Sequence, residues 1–204
     1  MTRPRPNLRY EQALWAAGIR WVAGVDEAGR GALAGPVAAA AVILPPEVDA
    51  AALAGVRDSK LMSPREREHW AGKIQEIAVA WAVGYATPAE IDALGILPAV
   101  HLAAQRALQR LMPFPEFLLL DYLRLPLCTL PQMALVKGDR DVLTIAAASV
   151  LAKTHRDALM RRLDKWLPQY GLARHKGYGT PAHREAIARH GLSPQHRHSF
   201  RCRG

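Results

Sequence analysis

Three apolar runs in this chain lead into acidic residues, and that placement limits the fold more than any other feature. Trp21-Val22-Ala23-Gly24-Val25 leads into Asp26 and Glu27, Leu118-Leu119-Leu120 into Asp121, and Ala134-Leu135-Val136 stands shortly before Asp139. Short continuous apolar runs suit strands buried on both faces, and a charged group is rarely buried without a partner. The acids therefore belong at strand ends. Adjacent residues of a regular strand face opposite sides, so Asp26 and Glu27 share a site only if the strand ends there and the chain turns; Gly29 and Gly31 supply that turn. Four carboxylates at one sheet edge would repel one another, and a divalent cation such as Mg²⁺ or Mn²⁺, which favours oxygen ligands, is the usual compensation. Taken singly, each acid is better explained as the partner of a nearby arginine in a structural salt bridge. The shared setting is what favours the cation.

The rest of the chain alternates between the two periodicities. Strands are expected at 19–26, 37–44, 79–85, 117–122 and, more weakly, 133–136, and a short amphipathic helix at 10–17. Ser63-Pro64-Arg65-Glu66 has the form of a capping box heading a helix to about residue 77, and Thr87-Pro88-Ala89-Glu90 repeats it. The region after Thr87 contains Gly95 and Pro98, which predicts two helical pieces. A long helix is expected from Leu143 to about Leu167, opening on the small-residue stretch IAAAS, and a last one from Thr180-Pro181 to the stop at Gly191. Strands crowd the first two thirds and helices the end, so the fold class is α/β, a mixed sheet with helices packed on it.

Half of the 204 residues are hydrophobic, enough to fill a core as one domain without disulfides or metals. The longest apolar stretch, 32–44, is broken by Gly35 and Pro36 and falls short of the roughly 18 residues a membrane span requires. No transmembrane segment and no secretory signal is expected, which makes the cytoplasm the default. Cys128 and Cys202 fit no metal or disulfide spacing and are read as incidental thiols. A net charge of +9 suits a polyanionic partner, although an arginine-rich composition alone produces the same imbalance.

GVDEAGRGALAGPV at 24–37, DSK at 58–60, KGD at 137–139, IAAASVLAKTHRD at 145–157 and HKGYGTPAH at 175–183 occur in this order, followed by HRHSF at 196–200. This series of blocks resembles ribonuclease HII, the type 2 ribonuclease H of prokaryotes, over most of the chain. The resemblance implies a ribonuclease H-like fold: a central mixed five-stranded sheet flanked by helices, with an N-terminal extension over about 1–18 and a helical C-terminal extension over about 160–204. It also implies an endoribonuclease that hydrolyses the RNA strand of RNA·DNA hybrids and incises 5′ to ribonucleotides embedded in duplex DNA. Two metal ions, Mn²⁺ or Mg²⁺, would act, leaving 3′-hydroxyl and 5′-phosphate ends.

Residue by residue, the resemblance assigns catalysis and metal binding to Asp26, Glu27, Asp121 and Asp139, with Asp139 favoured over the neighbouring Asp141 by its spacing to IAAAS. Recognition of the 2′-hydroxyl falls to the backbone of Gly29-Arg30-Gly31, and the RNA-to-DNA junction to Tyr178. Ser149 and His183 are further substrate-contact candidates, and Lys60, Lys153, Arg156, His175 and Lys176 are candidates to track phosphates. Three positions depart from the family pattern: Leu61 where a second lysine is usual, Gly95 for asparagine, and Tyr122 for the glycine after the buried strand's aspartate. A monomer is the default, and whether a replication-clamp partner exists is left open by the sequence. Two rival readings keep the scaffold, a non-catalytic hybrid-binding protein and a two-metal DNA nuclease.

Overall fold

The computed structural model describes residues 5–200, so Cys202 lies outside the described residues. Five strands form one mixed sheet: β1 (Val22–Ala28), β2 (Val37–Ile43), β3 (Ala80–Ala86), β4 (Phe117–Asp121) and β5 (Gln132–Leu135), in the order β3-β2-β1-β4-β5. β1, β2 and β3 form an antiparallel meander, while β4 runs parallel to β1 and β5 parallel to β4. The helices are α1 (Arg9–Ala16), α2 (Pro64–Ile77), α3 (Pro88–Leu94), α4 (Ile96–Leu108), the short α5 (Gly138–Asp141), α6 (Leu143–Trp166), the short α7 (Leu172–His175) and α8 (Pro181–His190). This is the mixed five-stranded sheet with flanking helices and a helical C-terminal part that the sequence led us to expect.

Both faces of the sheet are covered, which is why β2 reads VAAAAVI and is buried throughout. Its odd-numbered residues Ala39, Ala41 and Ile43 join Val25, Leu118 and Leu120 against α4, whereas Ala38, Ala40 and Val42 join the core beneath α6 and α2. Small residues bring the layers close. A Cβ on Gly24 would sit 2.2 Å from the Thr144 carbonyl carbon of α6, and one on Gly84 would sit 2.1 Å from the Ala103 carbonyl oxygen of α4. The open N-terminus of α6 is capped from a distance: the buried Glu11 of α1 accepts hydrogen bonds from the Thr144 amide at 2.9 Å and hydroxyl at 2.8 Å.

Both expected capping boxes form, with Ser63 and Thr87 accepting from the Glu66 and Glu90 amides and receiving those glutamates' carboxylates in return. The break between α3 and α4 falls at Gly95, whose φ of +85° ends one helix and admits the next. Pro98 lies inside the first turn of α4, where a missing amide costs nothing. One boundary moves in a way that bears on the site: β1 continues to Ala28, past both acids, and pairs with β2 up to Ala28↔Ala38. Among the described residues, no helix is long and apolar enough to cross a membrane.

Candidate active site

Strand alternation and strand ends together build the acidic site. The parallel pairing of β1 and β4 runs from Val22↔Phe117 to Val25↔Leu120 and stops one residue short of Asp26 and Asp121. Asp26 follows the even-numbered face of β1 and Asp121 the face of Leu119, so both lie on the α6 side. Asp139 arrives from α5, which begins where Lys137 takes a left-handed turn at φ +61° after β5. The Gly138 amide donates to Asp121 Oδ1 at 2.7 Å and ties that turn to the end of β4. One carboxylate oxygen from each of Asp26, Asp121 and Asp139 lies within 4.8 Å of the others.

Glu27 stands apart from this trio. Because β1 does not end at Asp26, the turn expected directly after the two acids begins only past Ala28, and as neighbours in a regular strand they alternate in direction. Glu27 borders a small cleft that Asp26 and Asp121 also line, together with Val100 and Ala104 of α4, and its Oε1 lies 3.7 Å from Arg30 Nη1. It still feels the others. Burial first, then the charges of Glu27 and Asp121, hold Asp26 well above the usual carboxylate range, opposed by the Ser149 hydroxyl and the Glu27 amide. Burial, with Asp121 and Asp58 adding repulsion, pushes Asp139 up to about 6. Burial also raises Asp121 and Glu27. Lys60 reaches in from the turn after Asp58, with Nζ 3.9 Å from Asp139 Oδ2. Burial would lower its pKa, but Asp58, Asp139, Asp26 and Asp121 outweigh that and raise it.

Beside the acids, residues 29–31 form a turn closed by the Ala32 amide on the Gly29 carbonyl. Gly29 has φ +88°, and a Cβ there would overlap the Arg156 guanidinium, so only glycine fits. Tyr178, half-buried, faces the same side, with Lys153 Nζ 5.4 Å and Arg156 Cζ 5.5 Å from its ring centre.

The ribonuclease HII family model matches residues 23–203, a span that includes every one of these elements. This chain belongs to the ribonuclease HII family. It is 53% identical over 193 residues to a ribonuclease HII of Geobacillus kaustophilus, covering 95% of this chain and 73% of that protein. With one of Synechococcus sp. it shares 54% over 196 residues, covering 96% and 88%. Among solved structures, ribonuclease H2 of Pyrococcus horikoshii is similar with a TM-score of 0.73 at 26% identity, covering 88% of this chain and 93% of that one. Ribonuclease HII of Archaeoglobus fulgidus, solved in a complex with PCNA, gives 0.74 at 27%, covering 90% and 96%. Membership makes the chain a hydrolase of the ribonuclease H class.

The donor set fits the metal dependence of the ribonuclease HII family. Three buried or half-buried carboxylates with converging oxygens, raised together by burial and repulsion, form an all-oxygen set suited to a hard divalent cation. Asp139, 4% exposed, is the acid that joins it; Asp141 is exposed and is not one of the converging set.

Several contact candidates sit too deep to touch a ligand directly. His183 is fully buried, with Nδ1 3.0 Å from the Tyr178 carbonyl and Nε2 3.2 Å from His196 Nε2, so a backbone contact with substrate is not open to it. Ser149 is buried and pairs with Ser59 Oγ at 2.9 Å beneath Asp26. Arg156 is fully buried and donates to the carbonyls of Pro36, Lys176 and Ala34, which removes it from the phosphate-tracking set. His175 is buried as well, Lys176 donates to the Ala173 carbonyl, and Lys153 is paired with Asp157 at 2.8 Å. Lys60, its side chain 76% exposed, remains open to solvent.

Two contributors escaped the sequence reading. Asp58, 4% exposed, caps the turn that carries Lys60 by accepting from its amide at 3.0 Å, and adds negative charge beside Asp139. Arg197, 1% exposed, holds the 29–31 turn from below. Asp58 had a signal in the DSK block. Arg197 stood in the HRHSF block, but nothing local pointed to its role, because its partners lie more than 160 residues away. Of the departures, Tyr122 takes the left-handed conformation, φ +62°, that a glycine would adopt more easily, so the turn is kept with an exposed ring upon it.

Proposed function

We propose that this protein hydrolyses the RNA strand of RNA·DNA hybrids and incises duplex DNA 5′ to embedded ribonucleotides, with Asp26, Glu27, Asp121 and Asp139 holding two Mg²⁺ or Mn²⁺ ions. The convergence of three acidic oxygens within 4.8 Å beside a glycine turn carries this reading. A bound divalent ion supplies Lewis acidity toward the phosphoryl group and makes a bound water more acidic. The chain's own residues do the rest. Asp26, Asp121 and Asp139 keep the ligand oxygens in place, and Glu27, free of the trio, extends the set toward the Arg30 side. The backbone of Gly29-Arg30-Gly31 meets the ribose 2′-hydroxyl, the group that separates RNA from DNA at a given site. Tyr178 packs against the next sugar, and Lys60 approaches a phosphate without reading sequence.

The test is a labelled duplex carrying one ribonucleotide, run beside an RNA·DNA hybrid and an all-DNA duplex, with Mg²⁺ or Mn²⁺ and then with chelator. Cleavage of the first two, ending in a 3′-hydroxyl and stopped by chelator, is the expected result. Cutting of the all-DNA duplex, or no cutting of any with either metal, contradicts the reading.

A further inference from the structure

Under that reading two elements meet the sugars, the 29–31 turn and Tyr178, and they lie almost 150 residues apart in the chain. One short segment, residues 193–197, holds both. Arg197 donates from Nη2 to the Gly29 carbonyl at 2.7 Å, from Nη1 to the Arg30 carbonyl at 2.9 Å and from Nε to the Gly35 carbonyl at 3.0 Å. The fork grips the turn by its carbonyls. In a planar trans peptide the N–H points opposite the C=O, so the amides of Arg30 and Gly31 are turned away from Arg197, toward the side where a hydroxyl would be met.

The residue before it holds Tyr178. His196 Nδ1 accepts from the Ser193 amide at 2.9 Å, so in the neutral ring its proton sits on Nε2. That N–H donates to His183 Nε2 at 3.2 Å, which leaves the His183 proton on Nδ1, donated to the Tyr178 carbonyl at 3.0 Å. Each link follows from the one before. His175 stacks on His183 at 4.2 Å, accepts from the Gly177 amide at 3.2 Å and bonds the Tyr170 carbonyl at 2.7 Å. All three rings are buried, and the chain of bonds requires each to be neutral.

We infer that His196 and Arg197 are positioning residues that set discrimination for ribose and for the RNA-to-DNA junction: adjacent in sequence, they fix the 2′-hydroxyl-sensing turn and the junction tyrosine as one unit. The inference rests on the function proposed above and goes beyond it by placing control of specificity in a segment that touches no substrate.

The experiment compares kcat and KM on a single-ribonucleotide duplex and on a long RNA·DNA hybrid for the full-length wild type, Arg197→Lys, His183→Leu and His183→Asn. Arg197→Lys keeps the charge and loses the fork. Misplacing the turn lowers kcat/KM on the single-ribonucleotide duplex about 100-fold, with salt-dependent binding of all-DNA duplex unchanged. His183→Leu lowers the preference for the junction substrate, and His183→Asn, which keeps a donor near the Tyr178 carbonyl, restores it. In a Tyr178→Ala background His183→Leu has no further effect on that preference, which a general loss of stability would not mimic. Nitrogen NMR of the wild type, which needs no variant to fold, shows the His183 proton on Nδ1 and the His196 proton on Nε2. Opposite tautomers, or variants that fold and keep full discrimination, overturn the inference while leaving the ribonuclease reading intact. A wild type that cuts no ribonucleotide-containing duplex overturns both.

Discussion

The molecule buries charge of both signs, and it does so in opposite ways. Near the ends of β1 and β4, Asp26 and Asp121 are drawn together with Asp139 of α5 with few donors; burial raises all three pKa values, and the charge of Asp121 adds to it at Asp26 and Asp139. Behind the 29–31 turn, Arg156 and Arg197 are 0% and 1% exposed, yet each donates to three carbonyls. Burial with Arg156 nearby lowers Arg197 only to about 9, so it stays charged at neutral pH. The arginines are architecture because their partners are complete. The acids are strained against one another because theirs are not, and that shortfall is what a cation relieves.

Substitutions at the two regions should therefore separate activity from stability in opposite senses. On the proposed metal roles, Asp26→Asn or Asp121→Asn would remove a ligand worth several kcal/mol in the transition state, so kcat should fall by at least about a thousandfold. Without metal, the thermal midpoint of either variant stays level or rises, because a repelled charge is gone. A fall in midpoint would erase the contrast. Arg156→Met is expected to do the reverse: three carbonyls, two of them buried, lose their donor, stability drops by about 3 kcal/mol, and the thermal midpoint falls by roughly 6–12 °C. An unchanged melting curve would show that the fork is dispensable.

The pH dependence sharpens the same comparison. A carboxyl raised in the folded state stabilises the fold when protonated; that contribution is complete below its ordinary value of 3.8 and is lost as pH rises through the folded value, about 6 for Asp139. The metal-free protein should thus melt a few degrees higher near pH 5 than at pH 7, and saturating Mg²⁺ or Mn²⁺, by favouring the charged forms, should abolish the difference. Glu90 has the other sign: its hydrogen bond to Arg106 lowers it to about 2, so its contribution is lost as pH falls below its ordinary 4.5. Stability turns down again on the acid side. A midpoint that only falls on acidification from pH 7 would contradict the repulsion argued for the trio.

Leu61→Lys, which restores the lysine usual in the family at an exposed position, has the smallest effect. It should steepen the salt dependence of duplex binding by about one counterion and leave the melting curve unchanged. No change in slope would place Leu61 off the path of the strand.

What the sequence revealed and what it hid follow one physical line. Asp121 was legible because a short apolar run ending in an acid carries its explanation locally, as do the capping boxes at Ser63 and Thr87, whereas Asp139 was singled out from Asp141 only by the spacing of the family resemblance. The reach of β1 was misread because its glycines signal a turn that begins only after Ala28; partnership with β2 keeps the strand regular past Asp26 and sends Glu27 to the other face. His183, Ser149 and Arg156 looked like surface contacts because a polar residue in a motif suggests a ligand. Their real partners are the Tyr178 carbonyl, Ser59 and the carbonyls of residues 34, 36 and 176, which only the tertiary fold supplies.

The most direct test of the cation site is a calorimetric Mn²⁺ titration at neutral pH of the wild type, Asp139→Asn and Asp141→Asn, each checked for native folding. The three converging acids require that Asp139→Asn weaken binding at least tenfold and that Asp141→Asn, two residues away and exposed, leave it unchanged. Equal affinities for all three proteins, or a loss confined to Asp141→Asn, would contradict it.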